Sequence, residues 1–172
     1  MVRVTRPGTS MLAANMIINL LPLHGTEIIK FGMKLSDVVD KMKCYTNDVR
    51  VIKRTLNHVH AFGSSLQIEF DETEIVQYIG VGFYPGCGAE YKIFGINPFA
   101  IESKELFKII SSYSKGIHEY DPREYLWEDI ITTVWKADSQ YDYSQDESRN
   151  VYGTVGVGNS VYLRAIRSIY NR

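Results

Sequence analysis

The stretch that most resembles a reactive loop is VYGTVGVGNSVY, at positions 151–162, where glycines alternate with valines and tyrosines. A glycine-rich turn between a strand and a helix binds dinucleotide phosphates when its spacing is G-x-G-x-x-G. Gly156 and Gly158 supply the first two glycines, but Val161 stands at the third position, and no lysine follows to complete a P-loop. We therefore predict that Gly153, Gly156 and Gly158 shape the backbone and that the chain binds no nucleotide and no other cofactor.

The two cysteines, Cys44 and Cys87, form no CxxC pair and have no companion histidine at a metal-binding spacing. We interpret them as free thiols and predict no metal site. Cys87 lies in a PGCG loop, where it could act as a nucleophile only if the fold brought a histidine close to it. His58, His60 and His118 are the candidates, and they keep a small hydrolase open as an alternative function.

Charge is segregated along the chain, although the net charge is only −1. Residues 119–147 carry nine acidic and two basic side chains, whereas residues 1–60 carry nine basic and four acidic ones. Tyrosines and tryptophans are interleaved with the acids, and such aromatic residues anchor protein interfaces. A basic protein partner, and not nucleic acid, would fit this surface. The alternative is a solvated acidic face with a few aromatic residues in the core. The residues predicted to bind the partner are Glu128, Asp129, Asp138, Tyr141, Asp142, Tyr143, Asp146 and Glu147.

Length and composition fit one globular domain: 172 residues, 45% apolar and 23% charged. We expect a single α+β domain over residues 1–172, with an antiparallel sheet and helices packed on one face. The apolar run 11–23 predicts an N-terminal helix, in a segment 1–25 that could lie peripheral to a core of residues 26–172. The run superficially resembles a secretory leader, but Asn15 and Asn19 interrupt it and no small-x-small cleavage pattern follows. It is also too short for a membrane span, so we expect a cytoplasmic protein.

Two further helices are predicted before residue 60. Ser36 could cap a short helix over 36–43, with Val38 and Met42 on its apolar face. The spacing of apolar residues across 49–59 fits a second helix, although its β-branched residues would also suit a strand.

From Ser65 onward the apolar residues recur with a period of two. Leu66, Ile68 and Phe70 alternate with polar residues and begin a hairpin over 65–83, followed by a strand at 89–96. A helix from Ser103 carries Leu106, Ile109 and Ile110, and we expect it to cover the apolar face of the hairpin. After it come a strand at 129–135, a long polar connection at 136–150, a strand at 151–157, and a second strand or a helix at the end of the chain.

The order of these segments resembles a family of small bacterial proteins. The segments that carry the resemblance are FGMKLSDVVDKM, SSLQIEFDETEIVQYIGV, YKIFGINPFAIESKELFKIIS, YLWEDIITTVWKAD and NVYGTVGVGNSVY, which together span about residues 30–162. Some members look like immunity proteins encoded beside polymorphic or contact-dependent toxins.

The resemblance implies a non-catalytic protein that neutralises one toxin domain by tight stoichiometric binding. A toxic nuclease domain has a basic substrate cleft, and an acidic surface can occupy such a cleft in place of phosphates. An immunity protein is therefore the leading hypothesis. There are two alternatives: a hydrolase that uses Cys87, and a structural or regulatory adaptor without a toxin partner.

Overall fold

The computed structural model describes residues 15–142 and 147–170. Ten strands and three helices lie in these residues. The strands are β1 (Met16–Leu21), β2 (Gly25–Thr26), β3 (Val49–Ile52), β4 (His58–Ala61), β5 (Leu66–Phe70), β6 (Val76–Gly82), β7 (Ala89–Ile93), β8 (Glu124–Trp127), β9 (Thr132–Asp142) and β10 (Glu147–Gly158). The helices are α1 (Leu35–Lys43), α2 (Ser103–Tyr113) and α3 (Ser160–Tyr170).

Seven strands form one antiparallel sheet in the order β3-β4-β5-β6-β10-β9-β8. Its register aligns apolar residues of neighbouring strands: Ile68 lies opposite Ile79, and Ile79 lies opposite Val157 of β10. Because side chains alternate between the faces of a sheet, this row makes one face apolar. The predicted hairpin is confirmed as β5 and β6, and Leu66, Ile68 and Phe70 are all buried.

The apolar face is covered by a second layer made of α1, α2 and a small sheet. The small sheet has the order β2-β1-β7, with β1 parallel to β7. Leu106 and Ile110 of α2 belong to the same buried cluster as Leu66 and Ile68, while Ile109 is half-buried. The α+β class is therefore confirmed, with sheet as the larger component.

Helix α3 lies on the other face of the large sheet, which we call the open face. Its Tyr162 stacks on Tyr78 of β6, with ring centroids 4.4 Å apart. The expectation that the helices pack on one face holds for α1 and α2 and is wrong for α3. In the described part of the chain, no helix has the length and apolar character needed to cross a membrane.

The expected N-terminal helix is wrong where the chain is described, because residues 16–21 form β1. Ile18 and Leu20 are buried in the core, while Ile17 and Asn19 alternate with them, which is a period of two. The backbone N–H of Asn19 donates to Glu27 Oε2 at 2.9 Å. Residues 16–21 thus contribute to the core, while positions 1–14 of the predicted segment lie outside the described residues.

The helix expected across 49–59 is also wrong, because the chain forms β3 and β4 there. Val51 lies opposite Val59, and β-branched residues pack well in such cross-strand pairs. The helix over 36–43 is confirmed as α1, with Val38 and Met42 buried. Ser36 does not cap it, since the N-cap residue is Lys34 and makes no side-chain bond.

The polar connection expected at 136–150 is replaced by paired strands as far as the structure describes it. Strand β9 continues to Asp142 and β10 begins at Glu147, with Asp138 opposite Val151. Strand β8, which pairs with the first part of β9, was not predicted. The chain end is helical after residue 159, one of the two predicted possibilities.

We predict that Ile68→Ala lowers the free energy of unfolding by about 2–5 kcal/mol, because it leaves a cavity in the row shared with Ile79. Denaturant titration would measure the loss. Val51→Ala, at a 41% exposed position of β3, serves as the control and should cost much less. Equal losses would contradict the assigned core.

Candidate functional site

The open face is built from the residues that alternate with the core row. Gly80 of β6 lies opposite Gly156 of β10, and Thr133 of β9 lies opposite Gly156 on its other side. Gln67 of β5 lies opposite Gly80. Small residues thus form the middle of this face and leave a depression that crosses the strands.

Tyr78 lies flat across the two glycines. A Cβ atom on Gly156 would lie 2.0 Å from the Tyr78 hydroxyl, and one on Gly80 would lie 2.9 Å from Tyr78 Cε1. The Tyr78 hydroxyl shares a 2.9 Å hydrogen bond with Thr133 Oγ1. Burial raises the pKa of Tyr78 to about 12, against the effect of that hydrogen bond, so the phenol is neutral. The glycines therefore accommodate an aromatic ring, and the absence of nucleotide binding stays a prediction.

Helix α3 is fixed above Tyr78 at both of its ends. The Asn159 side-chain oxygen accepts hydrogen bonds from the backbone N–H groups of Val161 and Tyr162, which is typical of an N-cap. Near the other end, Arg167 Nε donates to Glu128 Oε1 at 3.2 Å. These contacts close one side of the open face and leave the other side accessible.

A groove of about 720 Å³ lies between α3 and the strands, and we call it the α3 groove. This volume is within the range of ligand-binding clefts. Trp135 of β9 is 55% exposed and forms part of its wall. Other residues that line the groove are Gln67, Glu69, Leu126, Thr154, Tyr162 and Ile166. The groove thus combines aromatic surface with several polar and charged groups.

Of the three described carboxylates that line this groove, Glu69 is the least exposed to solvent. It is half-buried, and burial raises its pKa, while the nearby Arg54 acts in the opposite direction. A desolvated acid in a cleft is a candidate for function, because its ionised form destabilises the fold. Glu69 was not predicted as a site residue, since its burial depends on a neighbouring strand and on α3.

Two histidines continue the polar part of the open face beside Glu69. His58 lies opposite Glu69 and His60 opposite Gln67, and the two imidazole centroids are 6.2 Å apart. Burial lowers both pKa values, and Arg54 contributes to each. His60 Nε2 is buried without a hydrogen-bond partner. Both histidines are therefore neutral at physiological pH.

Part of the predicted partner surface is described. Glu128 and Asp129 lie in the connection from β8 to β9, and Asp138 is exposed on β9. The hydrogen bond from Arg167 lowers the pKa of Glu128. Burial raises the pKa of Asp129, but hydrogen bonds from Ser114 and from the Lys115 N–H lower it by a larger amount. The net shift of this pKa is therefore downward. Glu128 and Asp129 therefore stay ionised well below neutral pH.

The remaining predicted partner residues are described incompletely. Tyr141 pairs with Ser148, and Asp142 pairs with Glu147, through the backbone. The side chains of Tyr141, Asp142 and Glu147 lie outside the described part of the structure. Tyr143 and Asp146 lie wholly outside the described residues.

The structure does not bring a histidine to Cys87 within the described residues. The Cys87 thiol donates to the Ala89 carbonyl oxygen at 3.4 Å. The ring nitrogens of His118 contact Ser114 Oγ and the Tyr125 hydroxyl instead. His58 and His60 lie on the open face, whereas Cys87 packs against the core cluster. Cys44 and Cys87 are both free thiols.

Among residues 15–142 and 147–170, no three histidine, cysteine or acidic side chains are grouped so that they could hold a metal ion. Comparison with protein-family models, curated proteins and solved structures finds no significant match for the chain. The arrangement of the site is therefore the basis for a functional proposal.

We predict that Glu69→Gln stabilises the protein more at pH 7 than at pH 4. The folded pKa of Glu69 lies above the unfolded value of about 4.3, so its ionisation cost is absent at low pH and grows as pH rises through the folded pKa. Denaturant titration of parent and variant at both pH values measures the difference. The residues opposite Glu69 on the neighbouring strands, His58 and Tyr78, are the same in both proteins, so their own titration does not enter the difference.

Glu72→Gln, in the exposed turn between β5 and β6, makes the same change of charge outside the groove. It should give no comparable gain at pH 7. An equal gain from both variants would show that net charge, and not burial of Glu69, is responsible.

We also predict that Gly156→Ala lowers the free energy of unfolding by about 1–3 kcal/mol, because the new methyl group overlaps the Tyr78 ring. In a Tyr78→Ala background the same substitution should cost close to nothing, since the overlapping ring is gone. Unfolding titrations of the four proteins in this cycle measure the coupling. Identical costs in both backgrounds would contradict the packing described.

Proposed function

We propose that the chain is a non-catalytic binding protein of the immunity type, which neutralises a basic toxin domain by stoichiometric binding. The acidic segment of the sequence would occupy the basic substrate cleft of that domain. The observation that carries this proposal is the paired backbone of residues 138–142 and 147–151.

The end of the acidic region 119–147 and the four residues after it lie in two paired strands, residues 138–142 and 147–151, which we call the acidic arm. Its register is continuous from Asp138 opposite Val151 to Asp142 opposite Glu147. Strand β6 pairs with β10 only from Thr154 onward, so the arm extends beyond the neighbouring strand. Because its backbone is already ordered, binding would cost less conformational entropy than binding through a free loop.

The base of the arm is fixed to the body of the protein. Arg149 Nη1 donates to the Ala100 carbonyl oxygen at 2.6 Å, and the Tyr152 hydroxyl donates to the Asp121 carbonyl oxygen at 2.8 Å. These bonds join the arm to the connections before and after α2. A partner would therefore meet a pre-formed acidic surface.

An aromatic anchor lies close to the arm. Trp135 is on the same strand as Asp138 and has more than half of its surface exposed. Tryptophan is enriched among the residues that dominate interface energies. An exposed acid, Asp138, and an accessible tryptophan on the same strand support a charged and aromatic interface.

The test is a triple reversal of Asp138, Asp142 and Asp146 to lysine. We expect the association rate with the toxin domain encoded by the adjacent reading frame to fall sharply, because long-range attraction is lost. Added salt should slow association of the parent more than that of the variant, since charges are screened within about 8 Å at physiological ionic strength. Surface plasmon resonance at several salt concentrations measures both effects.

The matched control reverses three exposed acids outside the arm: Asp40, Glu72 and Glu105. It changes the net charge by the same amount and should bind almost as the parent does. Binding of the arm variant with the rate and salt dependence of the parent would contradict the proposal. So would a toxin domain that kills cells equally with and without the protein.

A further inference from the structure

We propose that the α3 groove is a binding site for a guanidinium group, supplied by an arginine side chain of the partner. The inference rests on the proposed function only for the identity of the protein that carries the arginine. The chemistry of the site follows from the residues that line the groove.

The charge of the groove favours a cation. Its lining includes three carboxylates, Glu69, Glu124 and Glu128, and a single basic side chain, Arg167, among the described residues. Arg167 is bound to Glu128, so this pair is already neutralised. Glu69 has no carboxylate-to-cation contact of salt-bridge length in the described structure, and Arg54 acts on it only at longer range. An incoming cation would remove the cost of keeping Glu69 ionised.

The shape and the aromatic surface favour a planar cation. The Tyr78 ring lies flat over Gly80 in the floor, and Trp135 offers an accessible indole at the wall. A guanidinium group stacks on such a ring and carries five donors in one plane, whereas an ammonium group is compact and strongly hydrated. The planar group therefore fits the groove better.

Acceptors for these donors are present along the floor. Gln67 Nε2 donates to the Ser64 carbonyl oxygen at 3.3 Å, which leaves the side-chain oxygen of Gln67 as an acceptor. The Thr154 hydroxyl also lines the groove. Together with the Glu69 carboxylate, these groups can satisfy a guanidinium group that loses its water on entry.

The chain provides a direct readout, because it has two tryptophans that lie on opposite faces of the large sheet. Trp127 is buried in the core layer, where its Nε1–H donates to Ser111 Oγ at 2.9 Å. Trp135 lines the groove. A ¹⁵N-labelled protein therefore gives one indole signal that reports the groove and one that reports the fold.

The experiment titrates the full chain with N-acetyl-arginine methylamide and, separately, with the uncharged N-acetyl-citrulline methylamide. We expect the arginine compound to shift the Trp135 indole signal with a dissociation constant of about 1–10 mM, as befits one side chain, and to leave the Trp127 signal unchanged. The citrulline compound should bind at least about tenfold more weakly, because it lacks the charge.

Glu69→Gln should weaken binding of the arginine compound about tenfold, which is the loss expected for one charge-assisted hydrogen bond. Glu72→Gln is the control with the same change of charge outside the groove, and should not alter binding. The unchanged Trp127 signal in both variants establishes that the fold is intact.

The inference is overturned if the arginine compound leaves the Trp135 signal in place up to roughly 100 mM, well above the expected dissociation constant. It is also overturned if the citrulline compound binds equally well, or if Glu69→Gln has no effect. Loss of the groove site with intact toxin binding would refute this inference alone. A functional groove in a protein that protects against no toxin would refute the proposed function alone.

Discussion

The pairing of β6 with β10 places Gly80 opposite Gly156, and the arrangement of the open face depends on this contact. Two residues without side chains let the Tyr78 ring lie flat, and the flat ring gives α3 a surface on which Tyr162 can stack. A larger side chain at either position would lift Tyr78 and, with it, the helix. The groove beside α3 forms because glycines, and not larger side chains, lie in the middle of this face of the sheet.

Local pattern predicted the elements whose own residues show one clear hydrophobic period. The hairpin of β5 and β6, strand β7 and helix α2 were all readable, because each shows a clean period of two or of three to four. The prediction across 49–59 failed because the spacing of its apolar residues fits a helix, whereas their β-branched side chains favour a strand. Only tertiary pairing with β5 decides between a helix and two strands there.

The site was less predictable than the fold. The acidic composition of residues 119–147 was visible in the sequence. Strand register decides which of these residues pair in the acidic arm and which lie in the β8–β9 connection, where Lys115 and Arg167 bind Asp129 and Glu128. Glu69 looked like an ordinary outward-facing polar residue of a half-buried strand. Its environment is set by Tyr78 and by a helix that arrives from the end of the chain, and a single sequence contains no signal for that return.

The parallel pairing of β1 with β7, together with the pairing of β6 with β10, has a consequence for the order of folding. Both contacts join strands that are far apart in the chain, and such contacts form slowly because a long loop must close first. Until β10 has been synthesised, β6 is an apolar strand with one bare edge. The edge of β6 would therefore stay open to pairing with other chains until β10 is available to cover it.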